Sequence, residues 1–453
     1  MMTSTSSATN PPSVKLSDVT FTFAQAESPT LSRVNLTYQP GEFALICGPT
    51  GSGKSTLLKA INGLVPHFTA GEISGRIELM SENFLGRKPH DFAGMVGYVN
   101  QHAESSFVAD RVDEEIAFGL EQLGFTPDEM TERIKSVGKL LGLSDVICDN
   151  VTELSGGQQQ RVAIAAALAV GQKVLLLDEP TSELDPVAAH ELLLLLKRLT
   201  REQGITVLIA EHRIERALDL VDSVTVVHGD STVNKAMKAD GLDPLLQDYR
   251  MVPPAVELGQ NLKWSPLPLT VADAQLRWRK SSHSPRVLDE VKIEARSATP
   301  ASQVALAVEN LSVSYNGHEA VRQVTFELKE STVTAVMGPN GSGKSSLLWA
   351  MQGTQSHTGS VIVTQTGESP AKLKPLARLK HIAMVPQTAS DLLMHHSISD
   401  ELADSDLVAG VATSTTSALF ASLAGRIDPK RHPRDLSHGQ QLALALSIQL
   451  AKG

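Results

Sequence analysis

Short apolar runs recur along this chain, most of them followed by glycine-rich or polar loops. Val19-Thr20-Phe21-Thr22-Phe23 alternates with period two and predicts a strand with one buried face. Val174 to Leu177 is apolar throughout, the mark of a strand buried on both faces. Phe43 to Cys47 and Ile205 to Ala210 are further apolar strands, and Gly97-Tyr98-Val99-Asn100-Gln101 predicts a short strand ending in a polar amide. Ser55 to Asn62 is helix-like, and the Ala-rich run Val162 to Val170 sits inside a predicted amphipathic helix. The second half repeats this order at a steady offset, with Leu311 to Tyr315 and Val333 to Met337 as strands and Ser345 to Gln352 as a helix. Between the halves, from about Gly229 to Gln303, the pattern gives way to Pro, Ser and mixed charge, as in Val252-Pro253-Pro254 and Ser265-Pro266-Leu267-Pro268. That stretch predicts a linker with a small appendage of the first domain.

The loops after two of the strands carry the first chemistry. Gly48-Pro49-Thr50-Gly51-Ser52-Gly53-Lys54-Ser55-Thr56 and Gly338-Pro339-Asn340-Gly341-Ser342-Gly343-Lys344-Ser345-Ser346 both read G-x-x-x-x-G-K-[ST]. Each lies between a predicted strand and a predicted helix. The glycines let backbone N–H groups turn inward, and the helix N-terminus adds positive potential where phosphates would sit. Lys54 and Lys344 are therefore expected at the β/γ-phosphates, and Ser55 and Ser345 on Mg²⁺.

Further polar residues cluster at the ends of the other strands. Leu154-Ser155-Gly156-Gly157-Gln158 opens the small-residue helix, with Ser155 as its cap and the paired glycines leaving room for a phosphate. The strand Val174 to Leu177 delivers Asp178 and Glu179 side by side. Asp178 suits a Mg²⁺ ligand, and Glu179 suits polarising a water for in-line attack. Ser182-Glu183-Leu184-Asp185 follows, and the next apolar strand ends at Glu211-His212, which points to a γ-phosphate contact for His212. Phe23 lies 25 residues before Gly48 and Tyr315 lies 23 before Gly338, so both are candidates to stack on an adenine ring.

In this order the motifs resemble an ATP-binding-cassette (ABC) ATPase domain over about residues 14–235: aromatic Phe23, phosphate loop 48–55, Gln101, signature 154–158, carboxylate strand 174–179, loop 182–185 ending in Asp185, and His212. The signature separates this family from kinases and GTPases. The resemblance implies an α/β P-loop fold with a RecA-like core, an antiparallel β subdomain and a helical subdomain. It implies ATP and Mg²⁺ as ligands, with Gln101 and Gln387 added to Ser55, Asp178 and Ser345 around the metal. It also places Ser155, Gly156, Gly157, Gln158 and Asp185 at nucleotide.

The second domain, about residues 305–453, repeats the aromatic residue, the phosphate loop, Gln387 within Met384-Val385-Pro386-Gln387, and a signature Leu436-Ser437-His438-Gly439-Gln440. Ser437, Gly439 and Gln440 are its expected nucleotide contacts, and His438 stands where the first copy has Gly156. Gly453 aligns with Gly171, three residues before the first carboxylate strand, so no second carboxylate pair or histidine is expected, and apolar surface should be left open. Because ABC domains pair head to tail, the resemblance implies two unequal sites. One joins Lys54, Ser55, Gln101, Asp178, Glu179 and His212 to the second signature; the other joins Lys344, Ser345 and Gln387 to the first signature and lacks a base.

Finer features narrow the resemblance. Asn62-Gly63-Leu64-Val65-Pro66-His67-Phe68, Gly71-Glu72-Ile73-Ser74-Gly75 and Asp113 to Glu121 are similar to the ATPases of energy-coupling-factor (ECF) importers for vitamins, vitamin precursors and metal ions. That implies an integral membrane subunit as partner, a second ATPase chain as a further candidate, and a peripheral place on the cytoplasmic face of the plasma membrane. Two other classes stay open: a soluble tandem ABC protein acting on ribosomes or DNA, and a non-functional truncated product. Residues 254–304 hold seven Lys/Arg against five Asp/Glu, broken by prolines, which is unlike the long charged linker of the ribosomal class.

Composition agrees with this picture. The 453 residues suffice for two or three domains, and no apolar run approaches the roughly 18–20 residues of a bilayer span. Residues 1–13 are Ser/Thr/Asn/Pro-rich and read as a disordered tail, not a signal peptide. The net charge of −10, without a basic stripe, gives no reason to expect a nucleic-acid partner. Two cysteines, Cys47 in an apolar strand and Cys148, imply no disulfide framework.

Overall fold

The computed structural model describes residues 11–24, 26–247, 252–280, 303–315 and 317–452. They form two compact units, divided between Asp289 and Glu290.

In the first unit the strands β1 (Val14–Phe23), β2 (Leu31–Tyr38), β4 (Gly71–Leu79) and β5 (Glu82–Asn83) make an antiparallel sheet in the order β2-β1-β4-β5. The central sheet is built from β3 (Phe43–Cys47), β6 (Val96–Val99), β7 (Val174–Asp178), β8 (Thr206–Ala210), β9 (Ser223–Val227) and β10 (Val233–Met237). Its order is β10-β9-β3-β8-β7-β6, parallel except for the edge strand β10. Strands β3, β7, β8 and β9 are buried at every position, as the apolar runs within β3, β7 and β8 require.

Helices α1 (Lys54–Ile61) and α2 (Leu64–His67) follow β3, and α3 (Val112–Gln122), α4 (Pro127–Leu140) and α5 (Gly156–Leu168) form the helical subdomain between β6 and β7. Helix α6 (Pro186–Gln203) links β7 to β8. One core lies on the α5/α6 side of the central sheet. The other joins that sheet's opposite face to α1 and the antiparallel sheet.

One boundary differs from the expectation. Ser13 was assigned to the tail, yet it is buried, its amide donates to Tyr38 O at 2.9 Å, and its hydroxyl accepts from Thr206 Oγ1 at 2.8 Å. Residues 1–10 of that tail lie outside the described residues. Within the stretch expected to hold a linker and a small appendage of the first domain, three helices are present among the described residues. Helices α7 (Asp243–Gln247), α8 (Pro254–Asn261) and α9 (Val271–Lys280) follow β10, and Leu242, Leu246, Val256 and Leu267 belong to the first unit's core. Prolines mask this in the sequence because two of them, Pro253 and Pro254, stand at the start of α8, where a missing N–H costs nothing. Residues 281–302 lie outside the described residues.

The second unit has a three-stranded sheet, β12-β11-β13, from β11 (Val304–Tyr315), β12 (His318–Lys329) and β13 (Thr358–Val363). Helices α10 (Lys344–Gln352) and α11 (Pro375–Leu379) are followed by α12 (Ile398–Ala409), α13 (Thr415–Ala424) and α14 (His438–Leu450). The last three pack around Ile398, Leu402, Phe420, Leu436, Leu444 and Ile448. Val333 to Met337 is not a strand here, contrary to expectation, and Val333 and Met337 are exposed. The cause lies in the ladder. In the first unit, β3 is held between β8 and β9, and no described residue of the second unit supplies such neighbours.

Among the described residues no helix is long and apolar enough to cross a membrane.

Hydrogen exchange should separate the two loop-leading segments. Amides of 43–47 are expected to exchange at least about a hundredfold more slowly than those of 333–337, since protection follows ladder bonding and burial. Similar protection in the two peptides would mean that 333–337 is a paired strand after all.

Candidate active site

The phosphate loop leaves β3 at Gly48, whose φ of 156° brings its α-carbon against the end of β9. A β-carbon there would lie 2.2 Å from Val227 O, so only glycine fits. The loop then curls back on itself, and Lys54 Nζ donates to Gly48 O at 2.9 Å and to Pro49 O at 3.1 Å. Gly53 is left-handed at φ 106° and starts α1, while Gly51 faces open space. Thr56 is buried in the first turn of that helix. Ser52 Oγ is buried without a hydrogen-bond partner, an oxygen that a phosphate-bearing ligand on the loop can satisfy.

Strands β7 and β8 bring the acids and the histidine to this loop. Asp178 accepts from Ser55 Oγ at 2.9 Å on one oxygen and from Tyr98 OH at 3.3 Å on the other. Burial and the neighbouring Asp178 carboxylate push the Tyr98 hydroxyl well above its ordinary pKa. Glu179 follows with φ 50°, a left-handed backbone for a residue that has a β-carbon. Its amide donates to Ala210 O at 2.9 Å, which fastens the turn to β8. Its two carboxylate oxygens lie 2.8 Å from His212 Nε2 and 3.2 Å from Gln101 Nε2. With the His212 Nε2 proton directed at Glu179, the 3.5 Å approach of Lys54 Nζ to that same nitrogen is a contact between neighbours, not a donated bond. Burial lowers the Lys54 pKa, while Glu179, Cys47 and Asp178 oppose that shift.

Lys54, Ser55, Gln101, Asp178, Glu179 and His212 thus form one cluster, as expected from their places at strand ends. The other expected residues lie apart from its hydrogen bonds. Phe23 closes β1 with its ring edge-on to Phe21, centroids 4.9 Å apart. Asp185 caps α6, accepting from Val187 N at 2.9 Å and Ala188 N at 3.0 Å. Ser155 caps α5 in a reciprocal box with Gln158, and Gly156 is exposed beside Gly157. That helix end therefore presents free amides to an incoming anion.

In the second unit, Lys344 Nζ also donates to its loop carbonyls, Gly338 O at 2.9 Å and Pro339 O at 2.6 Å. Ser345 and Gln387 are exposed, and Tyr315 OH donates to Ser346 Oγ at 3.3 Å. Gly341 and Gly439 have open space where a β-carbon would stand, whereas Gly343 packs against Ala320 O. Ser437 and Gln440 repeat the capping box of the first signature, with His438 exposed between them. Among the described residues of this unit, none takes the place of Asp178, Glu179 or His212.

Three residues of the first site carried no expected role. Tyr98 supports Asp178, and its one signal in the sequence was a hydroxyl in a short strand next to the carboxylate strand. Glu211 is buried, accepts from Thr181 N at 3.0 Å, and has its carboxyl raised by burial to about 7. Arg216 donates to Thr181 O at 2.7 Å and Thr181 Oγ1 at 3.1 Å, a link that nothing local in the sequence announces.

The Glu211 shift has a sign that can be measured. From its ordinary value of 4.5 up to about 7, the folded protein keeps a proton that the unfolded chain has lost. Stability due to this group therefore falls as pH rises through that window. Glu211→Gln removes the titration, so its Tm should decline less than the wild-type Tm between about pH 5 and 7. Parallel Tm profiles would show that Glu211 is ionised throughout.

Comparison with known proteins bears on the whole arrangement. The family model described as ABC transporter matches residues 31–182 and 321–453. A Streptomyces avermitilis protein named as an ABC transporter ATP-binding protein is 39% identical over 469 aligned residues, covering 96% of this chain and 82% of the relative. A Streptomyces coelicolor protein with the same description, SCO2324, is 38% identical, again covering 96% of this chain and 82% of the relative. Among solved structures, cbiO1 from Clostridium perfringens, part of the ABC transporter complex cbiONQ, aligns with a TM-score of 0.48 and 26% identity over 59% of this chain and 99% of that one. With two matched segments, two phosphate loops and two signatures, the chain belongs to the ABC transporter family as a tandem ATP-binding-cassette ATPase.

Proposed function

We propose that this chain powers an ECF-type importer for a vitamin, vitamin precursor or metal ion, working from the cytoplasmic face on a separate integral membrane subunit. The observation that carries the hydrolytic part is the bonded cluster of Lys54, Ser55, Gln101, Asp178, Glu179 and His212. Lys54 can leave the Gly48 and Pro49 carbonyls for β/γ-phosphate oxygens, which offer it full negative charge. Mg²⁺, when bound, neutralises charge on the β- and γ-phosphates, and Ser55 Oγ and Asp178 are hard oxygen donors 2.9 Å apart that suit it. Gln101 spends its amide nitrogen on Glu179, which leaves its amide oxygen as the end for the metal. Glu179 is the group to polarise the attacking water, and His212 is the group to meet the γ-phosphate. For both to act, their mutual contact must loosen as the phosphate draws His212 away.

The transport part is supported by the surface near the ECF-like segments. Phe68 is 77% exposed and Val108 66% exposed, with Phe118 also on the surface. Each of these exposed apolar side chains is a candidate contact for an apolar partner.

Turnover by single-site variants tests the first part. Glu179→Gln is expected to keep ATP binding while hydrolysis falls to a few per cent of wild type or less. Lys54→Ala should eliminate hydrolysis, whereas Lys344→Ala should leave a measurable fraction, because among the described residues only the first unit joins its phosphate loop to a carboxylate pair and a histidine. Equal loss in folded Lys54 and Lys344 variants would show that the second unit hydrolyses as well.

Cross-linking tests the second part. Cysteines placed at Ser106 or Asp110, between Gln101 and α3, are expected to capture an integral membrane protein in cells. Capture of ribosomal proteins alone would replace the importer reading with the translation-factor one.

A further inference from the structure

The turn that carries Glu179 is gripped by residues outside the hydrolytic cluster. Glu179 sits at φ 50°, and the next residue, Pro180, has no N–H. Thr181 is therefore the first residue past Glu179 whose backbone N–H can tether the turn. It is fully buried, and both of its backbone polar groups are taken by the segment after β8. Its N–H donates to Glu211 Oε1 at 3.0 Å, and its carbonyl and hydroxyl accept from Arg216 at 2.7 Å and 3.1 Å. Glu211 is itself fixed by its amide, which donates to Ile46 O of β3 at 3.0 Å. Two consecutive residues thus meet the two ends of one turn: His212 meets Glu179, and Glu211 meets Thr181.

We propose that Glu211 and Arg216 are positioning residues for hydrolysis, which clamp Thr181 and so hold the strained Glu179 turn in register with His212. The proposal rests on the reading of Glu179 as the base. Loss of the clamp frees the turn to relax toward an ordinary φ, which carries the Glu179 carboxylate away from the line of attack. A shift of about 1 Å at a reacting group can cost on the order of a hundredfold in rate. Neither clamp residue touches the phosphate loop in any bond described above, so ATP affinity should be spared.

The test compares kcat and KM for Mg-ATP, and binding of a fluorescent ATP analogue, in the purified full chain and four variants. Glu211→Ala and Arg216→Gln are expected to lower kcat about ten- to a hundredfold with KM within about threefold of wild type. Glu211→Gln keeps an acceptor oxygen for Thr181 N–H, so it should restore kcat to within about threefold of wild type. Glu179→Gln is the reference for the base. If it is inactive while Glu211→Ala and Arg216→Gln turn over at the wild-type rate, the clamp is wrong and the base stands. If it retains turnover, the base reading fails first and takes the clamp with it. A Glu211→Gln variant as impaired as Glu211→Ala, or a loss of analogue binding in step with kcat, also overturns the clamp. Should Glu211→Ala fail to fold, Arg216→Gln decides, since it leaves the buried position 211 intact.

Discussion

The site depends on the ladder that sets three parallel strands level with one another. Ala210 of β8 pairs with Ile46 of β3 on one side and with Asp178 of β7 on the other. That register puts the phosphate loop, the carboxylate pair and the Glu211–His212 pair at the same height on one edge of the sheet. A slip of one residue in β7 would turn Asp178 to the other face and exchange every buried leucine with it. The strands resist this because all of their side chains are buried between two cores, and each Leu, Ile or Val so placed contributes roughly 1.5–3 kcal/mol. The chemistry at the sheet edge is positioned by that packing, and the polar contacts add the final fit.

The second unit isolates what the ladder does. Its phosphate loop has nearly the same backbone as the first: φ is 157°, 77° and 85° at Gly338, Gly341 and Gly343 against 156°, 79° and 106° at Gly48, Gly51 and Gly53. Its lysine makes the same two bonds to loop carbonyls. The loop geometry is therefore written locally, in the glycines and the lysine. The strand before it is not. Phe43 to Cys47 is buried between β8 and β9, whereas Val333 to Met337, apolar except for Thr334, finds no paired neighbour among the described residues and leaves Met337 88% exposed. An apolar run becomes a strand only where another backbone meets its N–H and C=O groups.

This division explains what was legible in the sequence. Motif residues sit at strand ends and helix caps, where short-range chemistry decides the conformation. Ser155 caps its helix as its place before the small-residue run leads one to expect, and the structure adds reciprocal boxes, Ser155 with Gln158 and Ser437 with Gln440. Ser13, Tyr98 and Arg216 owe their roles to partners far along the chain, 193 residues away for Ser13–Thr206, 80 for Tyr98–Asp178 and 35 for Arg216–Thr181. No periodicity reports such pairs. The helices after β10 were hidden for a related reason: prolines at α8 read as breakers in a one-dimensional scan, yet at its start they are compatible with the helix.

Three carboxyl groups crowd the site, and their separate partners explain why the fold tolerates them. Asp178 is held by two hydroxyls, Glu179 by His212 and the Gln101 amide, and Glu211 by the Thr181 amide. If all three were ionised within so small a volume, the cationic groups bonded or close to them among the described residues would be Lys54, Arg216 and a protonated His212, and a polyphosphate would then enter a site already rich in negative charge. The raised pKa of Glu211 relieves this: near neutral pH a large share of its carboxyl groups is protonated. Protonation leaves one carboxyl oxygen able to accept from Thr181 while the group adds little charge. A buried acid beside Glu179 can therefore hold Thr181 with little repulsion of a nucleotide, which a permanently charged side chain in the same position could not do.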